Sequence, residues 1–237
     1  MKKERLIVEL LDVVQLATPN FDSIDEFQTA AKIRSYRLRG SKNPPSYDMA
    51  LAQMPNIVSG LMKKPDLLRH LDGHANERWR GYLKDVGERL YDMFSRDGCT
   101  WYPVGRRPIE TFSGVWTKPA IRGVRVVKGG DAFPCLVNPR SSLFFGPSAL
   151  SFVSRGVYEF HVIDNPKAVG SMIVDLGKHP IANVRANRVY MPDQVKMMPL
   201  EQFEEILRRF LKAVELAGMI SYPAERHRGI DLFRPRK

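Results

Sequence analysis

The sequence predicts an α+β protein: a helical N-terminal part, then a mostly antiparallel β-sheet with a packed C-terminal helix and a basic tail. Three observations carry that expectation. Apolar residues recur at helical spacing through residues 1–97. From 99 to 191 the chain turns to short runs of Val, Ile, Phe and Tyr between Gly and Pro turn signals. An amphipathic stretch, "PLEQFEEILRRFLKAVELAGM", then follows. The expected division is a helical unit 1–97, an α+β unit 98–222 and a tail 223–237.

Taken in order, the spacing predicts a first helix over 3–17, with Ile7, Leu10, Leu11 and Val14 on one stripe and "TPN" as its stop. Glu9 and Asp12 interrupt the apolar run, so it does not read as a secretion signal. Ser23 with Glu26 three residues later forms a capping box for a second helix, which ends near Gly40 before Pro44 and Pro45. "SYDMALAQMPNIVSGLMKK" gives a third helical stretch kinked at Pro55, and 65–72 a short turn of helix. In "ANERWRGYLKDVGERLYDMFSR", Trp79, Leu83, Val86 and Leu90 recur on one face.

Strands are expected near 111–116, 121–127, 133–137, 157–163, 171–176 and 184–191. "VYEFHVI" alternates, with Tyr158, Phe160 and Val162 opposite Glu159 and His161. "SMIVDLG" does the same, and the seven residues "DNPKAVG" between them suit an antiparallel pair. In the last helix Phe203, Ile206, Leu207, Phe210 and Val214 would pack on the sheet.

Of the 237 residues, 43% are apolar and 27% charged, which suffices for a core and does not read as disorder. The formal net charge is +11, a surplus that implies a polyanionic partner. It is uneven: residues 1–97 hold 16 Lys/Arg and 14 Asp/Glu, whereas 98–237 hold 21 and 12. Cys99 and Cys135 have no zinc-ligand spacing and make no disulfide framework, so a reducing cytoplasm is the expected compartment. No run approaches the roughly 18 apolar residues of a membrane span, and no membrane partner is expected.

Three basic clusters are candidate phosphate contacts. "AAKIRSYRLRGSKNPP" carries Lys32, Arg34, Arg37, Arg39 and Lys42 with no acid. The macrodipole explains bases in the last turn of a helix, such as Arg37 and Arg39, without any ligand, but explains Lys32 and Lys42 poorly. Residues 105–130 carry Arg106, Arg107, Lys118, Arg122, Arg125 and Lys128 against Glu110 alone, with Trp101, Tyr102, Phe112 and Trp116 interleaved or adjacent. Cations hold phosphates and exposed rings stack on unpaired bases, a combination suited to single-stranded nucleic acid and to RNA above DNA. The third cluster is the tail, with Arg226, His227, Arg228, Arg234, Arg236 and Lys237.

No phosphate-binding glycine loop, nucleophile elbow or metalloprotease motif is present, and no cofactor is expected. "RGVYEFHV" partly echoes an RNA-recognition pattern, but Val157 and Glu159 stand where aromatic residues are needed, so no such fold is assigned. Glu159, His161, Asp164, Asp175 and His179 form the best catalytic grouping. If 157–163 and 171–176 pair, Glu159, His161 and Asp175 share a sheet face and could hold a divalent metal for phosphodiester cleavage or do general acid/base work, the alternative reading of a metal-dependent nuclease or other nucleic-acid-processing enzyme. His70 and His74 have i,i+4 spacing without a third ligand nearby. Met49, Met54, Met62 and Leu61 offer an alternative reading, an interaction protein with an acidic partner. The leading expectation is a non-enzymatic protein that binds single-stranded RNA through phosphate contacts with weak sequence preference.

Overall fold

The computed structural model describes residues 6–38, 47–95, 98–103, 109–112, 115–118, 121–126, 130–162, 170–178, 181, 184–185 and 187–218. The element order is β1 (Leu6–Glu9), α1 (Leu10–Leu16), α2 (Glu26–Leu38), α3 (Asp48–Leu51), α4 (Met54–Val58), α5 (Lys64–Asp72), α6 (Glu77–Phe94), β2 (Thr100–Pro103), β3 (Ile109–Phe112), β4 (Val115–Lys118), β5 (Ile121–Val126), β6 (Ala132–Asn138), α7 (Pro147–Val162), β7 (Met172–Asp175), β8 (Arg188–Tyr190) and α8 (Leu200–Leu216). This is an α+β protein, with a mixed, mostly antiparallel sheet and a C-terminal helix packed in its core. The expected basic tail lies outside the described residues.

The main sheet has the order β2-β5-β6-β7-β8. Its pairings are antiparallel except β6 with β7, which run parallel and are joined through α7. A parallel pair needs a crossover that returns the chain to the same end of the sheet, and a helix supplies it. A second sheet has the order β1-β4-β3, with β1 parallel to β4.

"AFPCLVN" and "MIVD" have almost no polar face, so both sides of β6 and β7 must be covered. Leu136 and Ile173 pack into one cluster with Leu10 and Leu11 of α1, Ile33 of α2, Phe152 and Val157 of α7, and Phe203 and Phe210 of α8. Cys135, Val137, Met172 and Val174 pack into another with Met54 and Ile57 of α4, Leu67 and Leu71 of α5, and Leu83, Val86 and Leu90 of α6. The result is three layers, with the sheet between two sets of helices. Both clusters draw residues from either side of residue 97. Among the described residues, no helix is long and apolar enough to cross a membrane.

Several expected elements are corrected. The first helix is shorter than 3–17: residues 6–9 are strand β1, because their backbone finds β4 far along the chain, in the register Leu6↔Val115. Asp25, not Ser23, caps α2, accepting from Gln28 N at 2.8 Å, while Ser23 N donates to Asn20 Oδ1. Pro55 does not kink a long helix; it stands in the first turn of α4, where a proline's missing N–H costs nothing. The expected strand 111–116 spans parts of two, β3 and β4, which pair as neighbours. Strand β2 lies outside the strands that the sequence predicts.

The largest correction is 157–163, expected as a strand, whose residues 157–162 are the end of helix α7. Ala149, Leu150, Phe152, Val153 and Val157 are buried along it at helical spacing. That longer period overrides the two-residue alternation visible in a short window. The antiparallel pair with 171–176 is therefore absent: β7 pairs with β6 and β8 instead.

Candidate nucleic-acid interface

Edge strand β2 pairs with β5 in the register Trp101↔Arg125, Tyr102↔Val124, Pro103↔Gly123. Successive strand residues face opposite ways, and this alternation separates two aromatic neighbours. Trp101 is buried against Phe94, with ring centroids 6.3 Å apart. Its indole covers Gly123 so closely that a Cβ there would collide with Nε1. Tyr102 points to the other face and is 56% exposed.

Directly paired residues share a face. Tyr102, Val124 and Pro134 thus form one row across the sheet, and Thr100, Val126 and Ala132 the next. Exposure falls along them: Thr100 and Tyr102 are exposed, Val124, Val126 and Ala132 half-buried, and Pro134 buried. Helix α7 packs on β6 and β7. This corner of the sheet, toward β2, is left partly open.

Arg125 belongs to the opposite, Trp101 face and is half-buried. Burial pushes the Cys135 thiol up, and the positive charge of Arg125 pulls it the other way. Arg106, Arg107 and Lys128 lie outside the described residues, as do Arg39 and Lys42. Arg37 stands in the last turn of α2, Trp116 opposite Ile7 and Glu110, Lys118 opposite Glu9, and Arg122 in β5. These four are placed by their backbone alone.

Arg34 has a structural task. Its guanidinium donates to the Leu216 carbonyl in the last turn of α8, satisfying an end group that the helix leaves unpaired. Arg209 of α8 pairs back to Glu26 of α2 at 3.6 Å. Part of the first basic cluster therefore joins two helices. Lys32 is exposed and makes no ion pair among the described residues.

The sheet face expected to unite Glu159, His161 and Asp175 does not form, because 157–162 are helical and β7 pairs with β6 and β8. Glu159 lies on α7, paired with Arg155 at 2.8 Å one turn back. Asp175 ends β7 and is fully buried. His161 closes α7 and is placed by its backbone alone, and Asp164 and His179 lie outside the described residues. Among the described residues no three His, Cys, Asp or Glu side chains are grouped to hold a metal ion. His70 meets Gln53 Nε2 at 3.2 Å, and His74 packs on Trp79 with its Nδ1 accepting from Asn76 N. Of the methionine set, Met54 is core, Met49 and Met62 are partly buried, and Leu61 is 81% exposed.

Sequence reasoning missed a polar knot at the C-terminal ends of the parallel strands. Asn138 Nδ2 donates to Asp175 Oδ1 at 2.7 Å and to the Leu143 carbonyl at 2.8 Å. Gly177 N donates to the same carboxylate at 2.9 Å. Burial nevertheless pushes the Asp175 carboxyl above the usual aspartate range, outweighing these donors and the charge of Arg188. Beside it, Arg185 pairs with Asp85 of α6 at 2.5 Å and donates to the carbonyls of Pro139 and Leu176. The available signal was a polar residue ending each apolar run, "CLVN" and "MIVD". The knot ties both strand ends to α6 and to the loop after β6. Comparison of the chain with protein-family models, with curated proteins and with solved structures finds no match.

Proposed function

We propose that this is a non-enzymatic nucleic-acid-binding protein that prefers single-stranded RNA, holds it through phosphates and has weak sequence specificity. The observation that supports this reading is the charge of residues 105–130: six cations against one acid, with Lys118 on β4 and Arg122 and Arg125 on β5. Arg106, Arg107, Lys118, Arg122, Arg125 and Lys128 are the leading phosphate contacts, with Trp116 the aromatic contact of the set. Arg37, Arg39 and Lys42 form a second set, since Arg34 is engaged with α8. The two cysteines, of which Cys135 is buried, form no disulfide with each other, which fits a cytoplasmic setting.

The test is fluorescence anisotropy with labelled single-stranded RNA, matched DNA and a duplex over a salt series. Affinity should fall steeply with salt, because each neutralised phosphate releases a counterion. Reversing Arg106, Arg107 and Arg122 together should weaken binding by more than about tenfold and flatten that slope. Unchanged affinity in the triple variant would move the interface elsewhere. No binding by the wild type at low salt would sink the reading, and an acidic protein would become the expected partner.

A further inference from the structure

We infer that Tyr102, with the partly open rows of β2 and β5 around it, is a stacking platform for an unpaired base and sets the preference for single strands. This rests on the nucleic-acid reading above. Tyr102 is 56% exposed on the edge of the main sheet, whereas its neighbour Trp101 is buried as core. Beside it lie half-buried Val124 and Val126, so the ring borders partly exposed apolar side chains. Phe27, Tyr36 and Tyr82, the other exposed aromatic residues among those described, stand on helices α2 and α6 instead.

Charge selects the occupant. Residues 98–130 hold six cations and one acid, and Arg122 stands on β5, the strand bonded to β2. A second copy of the chain would set +11 against +11. A polyanion with exposed apolar faces fits both features. Unpaired bases have such faces, whereas a duplex hides them in its own stack.

The experiment measures binding of a short labelled single-stranded RNA and of its duplex by wild type, Tyr102→Ala and Tyr102→Phe at fixed salt. Tyr102→Ala should weaken single-strand binding by about fivefold or more, the low end of one lost base stack. Its duplex binding should stay unchanged, which also checks that the variant is folded. Tyr102→Phe, which keeps the ring, should bind the single strand like wild type. If Tyr102→Ala binds the single strand as wild type does, or loses both forms equally, the platform is refuted while the electrostatic reading stands. If wild type binds neither form at low salt, both fall together.

Discussion

Asp175 is fully buried, and its carboxyl titrates above the usual aspartate range because burial penalises its charge. Folding therefore favours its protonated form. The stability tied to this group is complete below the ordinary aspartate pKa and is lost as pH rises through the raised value in the fold. At neutral pH the charge is a cost, only partly offset by Asn138, Gly177 and Phe145. Asp175→Asn keeps the shape and removes the charge. Its stability relative to wild type, followed by thermal melts, should be most favourable at neutral pH and decline as the pH is lowered. A difference that does not change with pH would show that the carboxylate carries no such penalty. Asp175 was visible in the sequence as a possible functional acid. Its burial was not, because that depends on which loop closes over the end of β7.

At the scale of elements, Gly123 shows how the β2–β5 pair is held. The Trp101 indole fills the space that a side chain would need: Nε1 and Cε2 would overlap a Cβ placed on Gly123, and Cζ2 would stand 2.8 Å from it. A rigid ring pinned against Phe94 cannot yield cheaply. Gly123→Ala should cost about 1–3 kcal/mol in denaturant unfolding. Gly81 in α6 is the control, since nothing lies within 4 Å of its Cβ position. There the same change should stabilise by up to about 1 kcal/mol through helix propensity. Equal effects at the two sites would mean that the ring is not the cause. The helices with long apolar stripes, α6 and α8, were legible in the sequence. The end of helix α7 was not, because seven alternating residues mimic a strand, nor was β1, because its partner is remote.

For the whole molecule, the sheet is shared. Residues 10–33 complete the core on one side of it by packing on α7 and α8, and residues 50–94 cover the other side. A fragment starting at residue 98 would keep α7 and α8 on the side of Leu136 and Ile173 but would expose Val137, Met172 and Val174 on the other. Each large apolar side chain missing from such a core costs ~2–5 kcal/mol, against a total stability of roughly 5–15 kcal/mol. The fragment should show no cooperative thermal transition by circular dichroism. A sharp transition would establish 98–222 as an independent unit.

The sequence by itself determined the class, α+β, the helices whose apolar period runs for several turns, and the basic charge concentrated after residue 98. These depend on composition and near neighbours, which a linear reading contains. Only the tertiary structure decided that β6 and β7 run parallel, that Arg34 serves the end of α8, and that Trp101 is core while Tyr102 faces outward. Each of these depends on contacts between residues distant in the chain. Strand alternation puts adjacent residues on opposite faces, but the layer packed on the sheet determines which face is dry.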